Sequence, residues 1–172
     1  MSIEQMYPVI LLLGLLVIAV VSDLRRHRIP NLLVLTGIVL GLGSQFHSLG
    51  LSGVSIGLLG MLTGFVLFLP LYILGGMAAG DVKLMAMVGS FFLYQDAAWI
   101  AFYSLIAGGI CGFLIVLFRG QMFQTLGRYG LMLRTRTYLA PASDEAAGKP
   151  FPYSVAILLG SLTGIFWQPL GL

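Results

Sequence analysis

Val21-Ser22-Asp23-Leu24-Arg25-Arg26-His27-Arg28-Ile29-Pro30-Asn31 is a short polar island between two long apolar runs of a 172-residue chain. The run before it begins near Tyr7, and the run after it extends from Asn31 to about Phe46. If both runs cross a bilayer, the island is the turn that joins them. Its three arginines then give the turn a side, because Lys and Arg close to the ends of spanning helices favour the cytoplasmic face. The other lysines and arginines obey the same rule. All nine fall in three gaps: Arg25, Arg26 and Arg28; Lys83; and Arg119, Arg128, Arg134, Arg136 and Lys149. The gaps between these, and both chain ends, carry none, so spanning helices would put every cation on one side.

Composition points the same way. The chain is 59% hydrophobic and only 9% charged, whereas a soluble domain carries roughly 25% charged residues. It is expected to be an integral membrane protein. A net charge of +3 in a soluble chain would suggest nucleic acid. Here it reads as a topology signal with attraction to anionic membrane lipid, and no nucleic-acid partner is expected. The lone Cys111 rules out a cysteine-based zinc site, which needs several thiolates at short spacing. The first run lacks a basic leader and is followed by Asp23 and the arginines, which marks a retained helix and not a cleaved signal.

Six apolar runs follow from the need for about 20 residues per crossing. They cover Tyr7–Ser22 with its neighbours, Asn31 to about Phe46, about Val54 to Leu74, Val82–Tyr94, Ala97–Phe118 and Tyr153–Trp167. The expected fold is an all-α bundle of about six transmembrane helices in a single domain over 1–172, with both termini periplasmic. Asn31, after Pro30, is expected to cap the second helix, and Pro70 to kink the third. Glycines such as Gly37, Gly41, Gly43, Gly57, Gly60, Gly64, Gly109 and Gly112 are expected at helix contacts, where small residues let backbones approach. In the cytoplasmic gap Gly120–Pro150, Phe123, Leu126, Gly130 and Leu133 have helical spacing. They suit either a helix in the membrane interface or a mobile loop.

Two acids border the basic gaps. Asp23 ends the first run, and Asp81 lies in Gly75-Gly76-Met77-Ala78-Ala79-Gly80-Asp81-Val82-Lys83-Leu84. The topology puts both at the cytoplasmic boundary, where they can converge as a hydrolytic pair with one acid protonated and the other ionised. The fourth run is short: thirteen residues from Val82 to Tyr94 reach about 20 Å, against a core of roughly 30 Å. A recessed Asp81 in a wet cavity is one way to make up the difference. The plainer alternatives are that Asp81 caps a helix start and that Asp23 pairs with Arg25 or Arg26 at the surface, worth at most about 1 kcal/mol.

The stretch around Asp81 resembles the signature of the Gly-x-Gly-Asp membrane aspartyl proteases. Gly80-Asp81-Val82-Lys83-Leu84 is similar to that of the type IV prepilin peptidases in particular. Asp23 with Arg28-Ile29-Pro30-Asn31 resembles that family's first catalytic motif, and Pro152-Tyr153-Ser154-Val155-Ala156 a third element. The resemblance implies an aspartic endopeptidase of the bacterial inner membrane with Asp23 and Asp81 catalytic and no metal or other cofactor. Its substrates would be prepilins and pseudopilins, cut at their leader on the cytoplasmic side. Gly75, Gly76, Gly80, Lys83, Asn31 and Tyr153 are the expected supporting residues around the substrate loop. Ala78 stands where the signature has its first glycine. Longer family members insert a cysteine-rich segment between the first two helices and also methylate the product. Only Leu24–Pro30 fills that gap here, so the resemblance is to the short, peptidase-only form of tight-adherence (Flp) pilus systems, with no separate methyltransferase domain. Two other readings remain open on the residues alone: a small cation-coupled transporter or channel, and a non-catalytic membrane subunit of a pilus or secretion assembly. Neither the oligomeric state nor the identity of the precursor follows from the sequence.

Overall fold

The computed structural model describes residues 3–118 and 152–167, all of them in helices or short connections. In chain order the helices are α1 (Ile3–Arg26), α2 (Asn31–Ile73), α3 (Ala79–Gly89), α4 (Tyr94–Phe118) and α5 (Tyr153–Phe166). Contacts group 1–107 with 152–172 as one compact unit and set 108–151 apart as a second, of which the described part is the end of α4. The expected interfacial helix or loop in the 120–150 gap lies outside the described residues.

Three helices, α1, α2 and α4, contain stretches long and apolar enough to cross a membrane. α1 shows how such a helix divides its faces. Leu12, Leu16, Ala19 and Asp23 are buried at spacings of four, three and four, while Ile10, Val17, Ile18, Val21 and Leu24 are exposed. That is one inward stripe on a helix whose remaining surface is hydrocarbon.

α2 is 43 residues long, about 64 Å if straight, more than twice the membrane core. It does not run straight. Gly50 has φ 62° and ψ −142°, a conformation outside the helical region that glycine reaches without a Cβ clash. The chain folds back there, since a Cβ on Gly53 would strike the Gln45 carbonyl and one on Gly57 would meet Leu42. The second and third expected runs are therefore two arms, 31–49 and 51–73, of one broken helix. Among the residues of α2 only Gly50 leaves helical dihedrals, so the expected kink at Pro70 is not a break in the helix.

α3 corrects the expected fourth run. It spans Ala79–Gly89, eleven residues or about 16 Å, and Tyr94 opens α4 instead of closing α3. The apolar residues Phe91, Phe92 and Leu93 bridge the two and hide the break from a hydropathy reading. Ser90 closes the last turn, its hydroxyl donating to the Met87 carbonyl at 2.6 Å. Gly89 there lies against the backbone of Gly60. From Asp81 onward every residue of α3 is buried except Lys83, so α3 is lined by protein on nearly all sides. Met85 and Met87 are core residues.

Neighbouring contacts fix the directions. α3 runs with the first arm of α2: Lys83 reaches Asn31, Met87 covers Gly37 and Ser90 covers Gly41. It runs against the second arm, with Met85 on Gly64 and Gly89 on Gly60. α5 runs against α4, Gly160 on Ser104 and Gly164 on Ile100. These are the close approaches expected of the glycines. Gly43, Gly109 and Gly112, expected to do the same, meet nothing within 4 Å.

Candidate active site

The end of α1 and the starts of α3 and α5 meet at one end of the bundle, each bringing a polar side chain. Asp23 is the last member of the inward stripe of α1, so the periodicity that buries Leu12, Leu16 and Ala19 also buries its carboxylate, 8% exposed. Just beyond it, His27 takes the left-handed conformation at φ 48°, and its N–H donates to the Asp23 carbonyl at 2.8 Å. A left-handed residue after the last turn ends a helix sharply. The Ser22 hydroxyl, donating to the Arg28 carbonyl at 2.9 Å, pins the turn that follows. Arg25, Arg26 and Arg28 remain exposed.

Asp81 is the third residue of α3 and only 5% exposed. Its Oδ2 accepts the N–H of Ala78 at 3.1 Å, the reciprocal half of a capping box. Asp81 lies outside the long apolar spans. Burial pushes its carboxyl up to about 7; the Ala78 N–H pulls it partly back, and the nearby Asp23 charge raises it again. That electrostatic coupling places the two acids in each other's field. Among the described residues neither carboxylate is paired with a cation, so the surface pairing of Asp23 with Arg25 or Arg26 is not formed.

The supporting residues divide. Lys83 and Asn31 are joined, Nζ donating to Oδ1 at 3.1 Å. Asn31 is thus the first helical residue, with Pro30 at the cap position and no side-chain capping bond, which corrects the expected role. Tyr153 packs edge-on against Phe68, ring centroids 6.0 Å apart, and brings the second arm of α2 to the site. Gly75, at φ 74°, supplies the left-handed turn between α2 and α3. Gly80 makes only ordinary contact with Ile29. Ala78 is extended at φ −82° and ψ 153°, a region open to any L-residue. The departure from the glycine signature therefore brings no backbone strain here.

One pairing is not written in the motifs. The Ser154 hydroxyl donates to Asp23 Oδ2 at 2.6 Å, and both side chains are buried. The signal was present: Ser154, Ile157 and Ser161 form a buried stripe on α5. Among the described residues no group of three or more His, Cys, Asp or Glu converges on a point where a metal could sit.

Residues 10–113 match the model of the type IV leader peptidase family. The prepilin leader peptidase/N-methyltransferase of Bacillus subtilis (strain 168) is 28% identical over 115 residues, 66% of this chain and 46% of the relative. That of Myxococcus xanthus (strain DK1622) is 26% identical over 124 residues, 68% of this chain and 37% of the relative. The chain thus spans less than half the length of these curated relatives. No solved structure matches it significantly.

Proposed function

This chain belongs to the type IV leader peptidase family, and from that premise we propose that it is a membrane aspartic endopeptidase using Asp23 and Asp81. It removes the leader of type IV prepilins and pseudopilins of the Flp kind at the cytoplasmic face of the bacterial inner membrane. The observation that carries the reading is that two carboxylates from remote parts of the chain are buried within each other's field, neither of them paired with a cation among the described residues.

The chemistry needs one proton shared between them. The ionised acid takes a proton from a water molecule, whose oxygen attacks the scissile carbonyl carbon. The neutral acid donates its proton to the carbonyl oxygen, giving a neutral tetrahedral diol. Collapse breaks the C–N bond as the nitrogen takes up the abstracted proton and a diol hydroxyl returns its proton to the other aspartate, leaving an acid, an amine and the restored one-proton pair. Burial keeps one carboxyl neutral near physiological pH, as the scheme requires.

The Gly75–Ala78 turn beside Asp81, exposed except at the half-buried Met77, suits an extended substrate segment, while the apolar helix of the precursor lies in the membrane. The basic residues near this end favour a cytoplasmic orientation. Counting the two arms of α2 separately supports six helical rods with periplasmic termini. Between α1 and α2 only His27–Pro30 intervene. That connection has no place for a cysteine-rich insertion, which supports the peptidase-only form.

Cleavage of a purified precursor by the purified chain in detergent or lipid tests the proposal. Asp23→Asn and Asp81→Asn are each expected to abolish cleavage while keeping the helical fold by circular dichroism. Turnover surviving in either variant would refute the pair.

A further inference from the structure

We propose that Ser154 is a positioning residue that holds Asp23 as the ionised base of the pair and so leaves the shared proton on Asp81. This inference rests on the two-aspartate reading above and assigns the roles within it.

The bond is short, 2.6 Å from Ser154 Oγ to Asp23 Oδ2. Both side chains are buried, so no bulk water competes for the bond. A hydroxyl has one proton to give, and Ser154 gives it to Asp23. A donor aimed at a carboxylate favours its charged form. Ser154 is also the second residue of α5, so Asp23 lies at the positive end of a 14-residue helix, where negative charge is stabilised. Packing holds the donor in place, because Ala156, Ile157 and Ser161 on the same helix are fully buried.

Among the described residues no comparable donor set acts on Asp81. It accepts a single backbone N–H, from Ala78, and burial outweighs that bond, lifting its carboxyl to about 7. The other groups around Asp23 do not reverse the asymmetry. α3 brings Asp81, while Lys83 turns outward to Asn31. α5 brings Tyr153 beside Ser154. α2 carries no acid or cation at this end, its His47 lying near the Gly50 fold-back. On its own chain, Arg25, Arg26, His27 and Arg28 are exposed. With Oδ2 committed to Ser154, Asp23 Oδ1 receives the proton from water, and Asp81 delivers its own proton to the substrate carbonyl oxygen.

The full chain in lipid, turning over a precursor, is assayed as Ser154→Ala and Ser154→Thr across pH. Removing a hydrogen bond to a charged group should lower kcat roughly tenfold to a hundredfold with KM unchanged. The acid limb of the pH–kcat profile, which reports the pair, should move up by about one to two pH units. Threonine keeps the hydroxyl and should restore both rate and profile. A Ser154→Ala enzyme with the parental profile overturns the inference, as does a threonine variant with the alanine profile.

Infrared difference spectra give a second measurement that does not depend on how position 154 folds. At pH 6 the protonated-carboxyl band of the pair should vanish in Asp81→Asn and persist in Asp23→Asn; the reverse result overturns the assignment. If the asparagine variants cleave normally, the two-aspartate reading itself fails. If they are inactive and Ser154→Ala keeps the parental profile, only the role of Ser154 fails.

Discussion

Asp23 and Asp81 reach the same end of the bundle on opposite kinds of helix. α1 is long, spends one stripe on the core and leaves the rest exposed, and Asp23 is the last residue of that stripe. α3 is short, buried on nearly every side, and carries Asp81 in its first turn. One carboxylate faces a hydroxyl donor and a helix N-terminus; the other faces apolar packing and one backbone N–H. The pair is thus asymmetric before any substrate arrives, and the asymmetry comes from the helices that carry it.

The hardest test of that contrast is to neutralise each acid in turn. Both asparagine variants should lose at least about a thousandfold in turnover, the scale of removing an acid or base from a concerted step. Their stabilities should diverge. A carboxyl whose folded pKa is raised contributes stability at low pH that is lost as pH rises through about 7. Asp81→Asn removes that loss, so at pH 8.5 it should be more stable than the parent, by on the order of 4 kcal/mol. Asp23→Ala strands the buried Ser154 hydroxyl and should cost about 1–3 kcal/mol. Thermal unfolding in detergent at pH 5 and 8.5 reads both. Equal shifts for the two acids would erase the contrast.

A smaller effect appears in the parent enzyme. If Asp81 is the proton donor proposed above, turnover should fall about tenfold per unit once pH passes about 7, as its carboxyl ionises. A kcat that stays flat to pH 9 would mean that the proton is held elsewhere.

Much of this was legible in the sequence because membrane chemistry is coarse. Clustered arginines, a hydropathic α1 and two motif aspartates were enough to place the acids at one end. The rest was hidden for physical reasons. The stop at Gly89 is invisible to hydropathy because Phe91–Leu93 continue the apolar run, while the break itself depends on Ser90 closing the turn and on Gly60 across the interface. Asn31 looked like a cap because it follows Pro30, yet its amide oxygen is taken by Lys83, a partner remote in sequence. The pairing of Ser154 was hidden because a serine in an apolar helix usually bonds its own backbone, as Ser104 does with Ile100. Only the position of α1 shows that it has a carboxylate to face.

The glycines of α2 carry the contrast between lined and exposed helix surface to its smallest scale. A Cβ at Gly60 would press on the Gly89 and Phe92 carbonyl oxygens. These are backbone atoms and cannot swing aside as a side chain would. Gly60→Ala should therefore cost about 1–3 kcal/mol and lower turnover, because displacing α3 displaces Asp81. Gly43 lies on the exposed side of the first arm with nothing within 4 Å. There alanine removes only the conformational freedom of glycine in a helix, and Gly43→Ala should gain about 0.5–1 kcal/mol with turnover unchanged. Thermal midpoints and cleavage rates of the two variants, measured side by side, locate the clamp on α3. If Gly60→Ala behaves like Gly43→Ala, the second arm of α2 does not hold α3, and the position of Asp81 must be set from the first arm and α5 alone.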